Sequence, residues 1–593
     1  MFFISWLKLS GIILDSDFFT YGQGEIELRK NKLRLIFTVL LVIGGWIAFQ
    51  GRTEASSSKT LKNKKWNIEN LAKADGIVQK LNYDELNLKN ISNIYNTEVQ
   101  SKIEQQLTDL KSKQAYSLEN PLVVSNPYLT NTTGLYVYFK TNEDVKVSYT
   151  IKAKGYATYS NTLYNPNGTY AKEHEYQIIG AVGGVKNTIT LTATTKDGKK
   201  TTKTFTYTAP KLQSTVSNTY KVKNGKSKQK MTSGLFAVIG NQASTTVRST
   251  YYVDNNGVVR GEIPLISYNS ERFIMTDDKE MYFVAGAGEI AKMNRLGKIT
   301  QVINVEEQGY TLHHDYTTNS DGNIWALATS IEREEKKNHV EDQIIKINSK
   351  TGKVTKVIQM QKLLPALYKK ATGIEKHSNN KGKKDVVHLN TIQMMNDNTI
   401  LVSSRETSTI MKISKINSSP KLSYFIGDES VWKGIGDYSK LLLKKLGNFT
   451  SQTGQHSIVY QTSSKLKKGQ YYIYMFNNNA KIMDSRKNFD WSAFEKTDRN
   501  GINVNSKVSM YYKYLVDEKK GTYKLVKSFK VPYSPYVSDV QEYQGHIIVA
   551  SGQKNYFGEY TNDGKLIRSF EYRGKSYLTY RTFKYSFDQF YFE

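Results

Sequence analysis

The sequence contains no cysteine in its 593 residues. This absence excludes disulfides, thiolate metal sites and a cysteine nucleophile, so any covalent catalysis has to use another side chain. Proline is also scarce, with 9 residues against 40 glycines and 42 tyrosines. Because aromatic residues favour pleated strands and glycine serves tight turns, this balance indicates many short strands joined by turns.

Acidic residues are few relative to basic ones, with 54 Asp and Glu against 83 Lys and Arg and a formal net charge of +29. The basic residues are spread along the whole chain, and no nucleic-acid-binding motif is present. We therefore expect a solvated surface that meets an anionic cell envelope or anionic small molecules, and no nucleic-acid partner. A Walker A loop is missing as well, since the glycine pattern at residues 286–291 runs on into a repeated strand.

Long hydrophobic runs are also lacking. The uncharged segment at residues 35–49 would cover roughly 22 Å as a helix, against a bilayer core of about 30 Å. Basic residues flank this segment on both sides, and residues 53–55 offer a cleavage site. A signal anchor behind a cytoplasmic tail at residues 1–34, and a cleaved signal peptide, therefore both stay open. In either case we expect export, as a single-pass protein of the cell membrane with its main domains extracellular, or as a secreted protein.

Two segments lie between this leader and the main repeat. Residues 50–118 are polar and contain one helix, predicted from apolar residues at helical spacing after a capping box of Thr97 and Gln100. We interpret the segment as a helical stalk, or as a helix packed on the next domain. Residues 119–212 alternate between apolar and polar side chains and are divided by Asn- and Gly-containing turns, which predicts a small β-sandwich.

From residue 225 onward one pattern repeats: a strand, a turn that mostly contains glycine, and a restart on a β-branched residue or leucine. Six copies are present, at residues 251–258, 291–299, 345–354, 411–414, 512–521 and 558–566. Sheets of about four strands that cannot bury both faces alone close into a propeller around a channel. We therefore predict a mainly β fold in which a six-bladed β-propeller spans residues 225–593.

A second landmark is a polar residue upstream of a hydrophobic strand in several repeats. The same ten-residue spacing picks out His314 and Asn390, and a looser spacing picks out His456 and Ser538. Since inner propeller strands line the channel, we expect these groups to meet near its axis. His313 would face the opposite way on a regular strand and is assigned a packing role. The other histidines are interpreted as surface or structural residues: His174, His339, His377 and His546.

The segment from Asp385 to Arg405 predicts a hairpin with its turn at residues 396–398. Residues about equally far from a turn lie side by side, so His388, Asn390 and Arg405 can converge on one rim. Three such donors suit an oxyanion. The alternative is that His388 and Asn390 cap a turn while Arg405 is solvated.

Three imidazoles in one channel also match a zinc ligand set. We favour an anion over a metal ion, because Arg405 on the same rim would repel a cation. Asp315, next to His314, is also the one carboxylate that we count among the candidate ligands. The sequence therefore predicts neither a metal nor another cofactor.

Several motifs, taken together, resemble those of the PAPS-independent aryl sulfate sulfotransferases. The resemblance covers about residue 119 to the end and rests on these segments: Asn126-Pro127-Tyr128, His174 with residues 187–190, Leu312-His313-His314-Asp315 with Asp321-Gly322-Asn323, Val387-His388-Leu389-Asn390 with Ser403-Ser404-Arg405, Gly454-Gln455-His456, and Tyr533-Ser534-Pro535.

The resemblance implies a β-sandwich followed by a six-bladed propeller. It also implies transfer of a sulfuryl group from a phenolic sulfate ester to a phenol through a sulfohistidine. His456 would be the nucleophile, and the sulfuryl oxygens would be held by His314, His388, Asn390 and Arg405. One of the two holding histidines would also protonate the leaving phenolate. Tyr128 would reach the pocket from the sandwich, and Ser538 stands where a Thr is expected.

The resemblance leaves other function classes open. A propeller of this kind could serve as a non-catalytic binding module of the envelope, or as a metal-dependent hydrolase or lyase. For the enzyme, the expected partners are a small aryl sulfate donor, a phenolic acceptor and, through the N-terminal helix, a membrane; a homodimer is possible. The loop at residues 427–447, with Trp432 and three leucines, is predicted to shape the entrance for aromatic rings.

Overall fold

A computed structural model describes residues 71–593, apart from residues 87, 89, 215–216, 241–247, 268–270, 377–379 and 573–577. The predicted tail, the predicted anchor or signal peptide and the first part of the predicted stalk lie outside these residues. In the described part of the chain, no helix combines the length and the apolar character that a membrane span requires. The described fold is mainly β, as expected.

The amino-terminal sheet is organised around one long strand. Its seven strands, numbered in chain order, are β1 (Val78–Gln79), β2 (Leu122–Ser125), β3 (Leu135–Ala153), β4 (Tyr159–Thr162), β5 (Ala171–Ile178), β6 (Lys186–Thr195) and β7 (Lys200–Thr208). The first part of β3 pairs with β2 and β5, and its second part pairs with β4 and β6. The register shifts between these parts of β3, so one strand links both halves of the sheet.

Helix α1 (Thr97–Ser112) joins this sheet to the next domain. Its amino-terminal cap is Asn96, whose side chain accepts from the backbone N–H groups of residues 98 and 99. The predicted capping box on Thr97 is therefore wrong by one residue. Gln100, assigned to that box, is buried instead; its amide donates to the carbonyl of Ile94 and accepts from Ile299 N–H at 3.1 Å. The helix is thus packed against blade strands rather than free.

Six sheets form the six-bladed propeller, and each contains four antiparallel strands. The strands of blades 1 to 3 are β9 (Leu235–Ile239), β10 (Arg248–Val253), β11 (Val259–Leu265) and β33 (Arg581–Tyr585); β12 (Ile274–Met275), β13 (Met281–Gly286), β14 (Glu289–Met293) and β15 (Ile299–Asn304); and β16 (Tyr310–Thr318), β17 (Ile324–Ser330), β18 (Gln343–Ile347) and β19 (Val354–Gln359).

Blades 4 to 6 continue the same order along the chain. Their strands are β20 (Leu389–Asn396), β21 (Thr399–Ser404), β22 (Thr409–Ser414) and β23 (Lys421–Ile426); β25 (His456–Gln461), β26 (Gln470–Asn477), β27 (Ser509–Asp517) and β28 (Thr522–Val531); and β29 (Asp539–Tyr543), β30 (His546–Ser551), β31 (Tyr556–Tyr560) and β32 (Leu566–Glu571). Two short strands extend outer edges: β24 (Lys444–Leu446) on blade 5 and β8 (Lys221–Asn224) on blade 6.

The ring is closed from both ends of the propeller sequence. The last strand, β33, pairs with β9 and becomes the inner strand of blade 1, while β8 pairs with β32 at the outer edge of blade 6. The inner strands β16, β20, β25, β29 and β33 contact one another in that order around the centre, here called the hub. Closure of this kind leaves no unpaired end of the array.

The six repeated turns of the sequence join the third and fourth strands of the six blades. In five blades the turn has a left-handed glycine, at Gly257, Gly297, Gly352, Gly521 and Gly564; in blade 4 Lys415 adopts this conformation with φ 55°. Glycine takes a positive φ without steric cost, which is why the repeat is visible in the sequence.

Five short α-helices lie in the described connections between blade strands. They are α2 (Ile331–Lys337), α3 (Met360–Leu363), α4 (Pro365–Lys370), α5 (Glu429–Trp432) and α6 (Ser492–Glu495). The predicted aromatic entrance at residues 427–447 contains α5. Trp432 is fully buried, packs on Phe425 and donates to the hydroxyl of Thr409 at 3.0 Å. The prediction that Trp432 lines an entrance is therefore wrong, because its ring is part of the core of blade 4.

Candidate active site

Three of the predicted site histidines meet at the hub. The ring centroid of His314 lies 4.7 Å from that of His388 and 5.8 Å from that of His456. The ring of Tyr580 completes the group, at 6.0 Å from His314 and 5.6 Å from His456. Residues from blades 1, 3, 4 and 5 therefore share one small space at the ends of their inner strands.

A break in strand pairing accompanies each of these histidines. The register of β16 shifts between Leu312 and Tyr316, that of β20 shifts between Leu389 and Thr391, and that of β25 shifts between His456 and Val459. His314 and His388 also have positive φ values, 60° and 44°. Bulges and left-handed residues re-aim side chains, and such strain is concentrated at functional sites. The inner strands thus turn their imidazoles toward the hub.

His456 is held as a neutral imidazole with one free nitrogen. Its Nδ1–H donates to the backbone carbonyl of Ser538 at 2.9 Å. Burial, together with the positive charges of Arg581 and His388, holds the pKa of His456 well below its ordinary value. With Nδ1 carrying the proton, Nε2 keeps its lone pair, which a nucleophile requires.

His388 has the opposite electrostatic setting. Its Nδ1 lies 2.5 Å from the carboxylate of Asp385 and 2.7 Å from that of Glu341. Burial and the charge of Arg405 disfavour protonation, but the two carboxylates outweigh them and raise the pKa of His388 to about 10. His388 is therefore an imidazolium at neutral pH, with its Nε2–H left to donate.

His314 lies beside His313, whose predicted orientation is wrong. The Nδ1 atoms of the two rings are 3.0 Å apart, so both side chains are on the same side of the strand. The reason is the bulge in β16, which interrupts the alternation on which the prediction rested. Burial, only partly opposed by Glu341, lowers the pKa of both histidines.

Arg405 is placed behind His388 and is surrounded by carboxylates. Its guanidinium donates to Glu375 and, at 3.1 Å, to Glu406, and it lies 3.8 Å from Asp385. Only 4% of its side chain is exposed. The prediction that Arg405 makes this rim cationic therefore has to be corrected. A buried cation is stable only when counter-charges are close, and the carboxylates around Arg405 neutralise its charge. A direct contact from Arg405 to the sulfuryl oxygens stays a prediction.

Asn390 and Ser538 fix the neighbourhood of the nucleophile. The side-chain amide of Asn390 donates to the carbonyl of Gln455, the residue before His456, at 2.8 Å. Ser538 contributes its backbone carbonyl to His456, while its hydroxyl donates to Ser534 at 2.9 Å. Both residues are fully buried, so they connect blade 5 to blades 4 and 6 at this point.

Tyr128 is not brought to the hub histidines. Its ring is buried in the core shared by the amino-terminal sheet and blades 1 and 2, and its carbonyl accepts from Gln100 at 3.1 Å. Packing of the ring in this core explains why the predicted reach into the pocket is not seen. Outside the hub, His174 and His546 have structural partners, Tyr176 at 2.9 Å and Glu559 at 2.6 Å. His377 lies outside the described residues.

Four residues of the site were missed by the sequence reasoning: Glu341, Asp385, Tyr580 and Arg581. Arg581 is fully buried, donates to Asp315 at 3.0 Å and to the carbonyl of Asn390 at 2.9 Å, and lies 4.9 Å from the ring of Tyr580. Asp315 is thus taken by Arg581 and by Arg272, and is not a ligand at the hub. The three-residue spacing of Asp385 and His388 was the one local signal that could have been used.

Two sets of side chains at the hub have the proximity that a metal ion needs. In each set the potential ligand atoms lie within 4.8 Å of one another: His313, His314 and Glu341; and Glu341, Asp385 and His388. However, the carboxylates of Glu341 and Asp385 both form ion pairs with Nδ1 of His388, and Arg405 also lies close to the carboxylate of Asp385. These carboxylates therefore already neutralise the positive charge of His388, in the place that a metal ion would take.

Comparison with known proteins identifies the family to which the chain belongs. The family model described as Arylsulfotransferase (ASST) matches residues 220–590, which is more than half of the chain, so the protein belongs to the arylsulfotransferase family. The model for the Arylsulfotransferase Ig-like domain matches residues 122–210, the segment of β2 to β7. The suspected family is thereby confirmed. No match was found among curated proteins.

The solved structures that match this chain are distant from it. A putative 6-phosphogluconolactonase from Bacteroides fragilis NCTC 9343 is 12% identical with a TM-score of 0.31, over 74% of this chain and 98% of that chain. BamB from Moraxella catarrhalis is 8% identical with a TM-score of 0.29, over 60% of this chain and 92% of that chain. At such scores these structures support no conclusion about function.

Proposed function

We propose that the protein transfers a sulfuryl group from an aryl sulfate to a phenol, without PAPS, in two steps through a sulfohistidine at His456. The family supports aryl sulfotransferase activity in general terms. The observation that supports the sulfohistidine is the hydrogen bond from Nδ1 of His456 to the Ser538 carbonyl. This bond leaves the lone pair of Nε2 free, close to the other imidazoles.

In the first step, Nε2 of His456 attacks sulfur while the bond from sulfur to the aryl oxygen breaks. His388 supplies its Nε2 proton to the departing oxygen, so that phenol leaves. In the second step, an acceptor phenol returns its proton to His388 as its oxygen takes the sulfuryl group from His456. The same residue serves as acid and then as base because the second step is the chemical reverse of the first.

We assign the role of the acid to His388 because the surroundings of His388 and His314 shift their pKa values in opposite directions. The acid has to be protonated in the free enzyme, and His388, with its pKa raised to about 10, meets that requirement. His314, whose pKa lies well below the ordinary value because of burial, does not. A phenol also has a pKa of about 10, so proton transfer between His388 and phenolate is nearly balanced.

The first testable consequence is a burst. When aryl sulfate is mixed with the protein in the absence of acceptor, phenol release is expected to match the amount of protein and then nearly stop, since the sulfuryl group stays on His456. Stopped-flow absorbance with a chromogenic donor measures the burst, and mass spectrometry of peptides locates the SO3. Steady release without a burst, and no sulfated peptide, would contradict the covalent intermediate.

A metal-dependent hydrolase is the second candidate, since two side-chain sets have ligand proximity at the hub. We expect prolonged treatment with a strong chelator to leave the burst amplitude and the turnover rate unchanged. Loss of both, with recovery on adding Zn²⁺ or Mn²⁺, would favour the metal-dependent candidate instead. A non-catalytic binding module would show neither burst nor turnover.

Export, attachment through the amino-terminal segment and a homodimer remain proposals from the sequence. The proposed partners are small: an aryl sulfate as donor and a phenol as acceptor. This combination fits a catalytic domain outside the cell, because a donor ester can be used there without a nucleotide supply.

A further inference from the structure

Tyr580 has its backbone fixed to the side of the hub that carries His456. It immediately precedes β33, the strand that closes the propeller ring, and it is 7% exposed. Its N–H donates to the Ile239 carbonyl of blade 1 at 3.1 Å, and its carbonyl accepts from the backbone N–H of Ser538 at 3.2 Å. Ser538 in turn supplies the carbonyl that accepts from Nδ1 of His456. The backbone of Tyr580 is therefore bonded to the residue that orients the proposed nucleophile.

The side chain of Tyr580 extends to the other side of the hub and holds the backbone of His314. Its hydroxyl donates to the His314 carbonyl at 2.8 Å. This carbonyl lies in the bulge of β16, where pairing with β17 stops at Leu312 and resumes at Tyr316. A carbonyl that leaves a strand ladder needs a donor from elsewhere, and the phenol of Tyr580 supplies one.

His314 has a backbone conformation that depends on support of this kind. Its φ of 60° lies in the left-handed region, which a residue other than glycine keeps only where its surroundings hold it. The ring of Tyr580 also lies against both imidazoles, with centroids 6.0 Å from His314 and 5.6 Å from His456. The two imidazole centroids are 5.8 Å apart. One side chain thus contacts both histidines and bonds the backbone of one of them.

We propose that Tyr580 is a positioning residue that sets the place of His314 relative to His456, and with it the width of the space in which the sulfuryl group moves. The inference rests on the proposed sulfuryl transfer to His456. In that reaction the charge on the non-bridging oxygens is stabilised by groups that are fixed in advance, and a displacement of about 1 Å can cost about 100-fold in rate. The hydroxyl of Tyr580 is bonded to the His314 carbonyl, so Tyr580 acts through His314.

Tyr580→Phe tests this role because it removes the hydroxyl and leaves the ring and the backbone bonds to Ile239 and Ser538 in place. The rate of the burst at saturating aryl sulfate is expected to fall at least about 10-fold, since His314 is no longer held at its distance from His456. The donor concentration that gives half of the maximal burst rate should stay the same, because ground-state binding is not affected. The burst amplitude should still match the amount of protein.

The burst amplitude counts working sites, whereas the burst rate reports the chemical step. A lower rate at full amplitude therefore distinguishes a misplaced His314 from protein that is partly unfolded. An unchanged burst rate in Tyr580→Phe, or a fall in amplitude alone, would overturn the proposal.

The matched control is Tyr585→Phe, which removes a tyrosine hydroxyl from the same strand, β33. The hydroxyl of Tyr585 accepts from the backbone N–H of Phe273 at 3.1 Å and donates to the carbonyl of the same residue at 3.3 Å. It therefore also bonds a backbone, but not that of a hub histidine. We expect this variant to keep the burst rate of the unmodified protein, and an equal slowing in both variants would contradict a specific role of Tyr580.

Crystal structures of the unmodified protein and of Tyr580→Phe test the placement without turnover. In the variant, His456 is expected to keep its bond to the Ser538 carbonyl, while the ring of His314 is displaced or takes two conformers. A single His314 conformer at the native separation of 5.8 Å from His456 would refute the inference even if the protein transfers sulfuryl groups. A displaced His314, combined with an unmodified protein that shows no burst, would refute only the proposed function.

Discussion

Replacing His456 by asparagine is expected to abolish sulfuryl transfer, with a loss of about 10⁴-fold or more in kcat. Asparagine retains an N–H close to the position of Nδ1, so the hydrogen bond to the Ser538 carbonyl can still form. It lacks the second ring nitrogen and therefore has no lone pair with which to attack sulfur.

The matched control is His546→Asn, a histidine of the same propeller whose partner is Glu559 on blade 6. This variant is expected to keep its turnover, which separates the loss of a nucleophile from a general effect of removing imidazole. Chromogenic turnover and the burst are measured for both variants, with thermal melts to verify folding. A folded His456→Asn protein with ordinary turnover would rule out the sulfohistidine.

The repeated turns made the propeller predictable because their chemistry is local. Each turn needs a left-handed residue within a few positions of the strand, and glycine at Gly257, Gly297 and Gly564 supplies it with φ of 75°, 90° and 83°. The closure of the ring is not local. The pairing of β33 with β9 joins residues 581–585 to residues 235–239, and no residue pattern near either strand signals its partner.

The hub histidines were predictable for a similar reason, whereas their electrostatic partners were not. His314 and His456 lie in the inner strands β16 and β25, and His388 precedes β20 directly, so the spacing to the next strand places them. Glu341 lies in the connection before β18 and reaches His388 from another blade. A bulge adds residues to one strand only, which is why strict alternation placed His313 on the wrong face.

The settings of His388 and His456 show how one hub holds two imidazoles in different states. Arg581 lies near His456 and helps to keep it neutral, while Asp385 and Glu341 hold His388 as a cation. Environments that separate the pKa values of neighbouring groups are how an active site assigns acid and nucleophile. Removing the charge of Glu341, which helps to raise the pKa of His388, should therefore bring the pKa values of His388 and His456 closer together.

Replacing Glu341 by glutamine is expected to move the alkaline limb of kcat/KM to lower pH by about 1–3 units, the usual effect of one close opposite charge. Burial opposes ionisation of Glu341, but the positive charge of His388 outweighs burial and holds the pKa of Glu341 well below its ordinary value, so the native residue is an anion. Its loss lets the pKa of His388 fall from about 10. The effect is expected to be largest for donors with weakly acidic phenols, which need the proton most.

The same group also links stability to pH, with a definite sign. The folded-state pKa of His388, about 10, lies above the ordinary value of 6.5. The stability that its ion pairs contribute is therefore complete below pH 6.5 and is lost as the pH rises toward 10. Melting temperatures of the unmodified protein should fall across this interval, and in Glu341→Gln the fall should end at lower pH.

The control for both measurements is Glu332→Gln, a nearby glutamate on α2 whose side chain is 71% exposed and pairs with Lys336. An exposed pair of this kind contributes little, so its pH profile and melting curve should match those of the unmodified protein. If Glu341→Gln instead keeps the native alkaline limb for weakly acidic phenols, His388 is not the proton donor. The proton would then have to come from elsewhere at the hub, since the leaving oxygen still requires one.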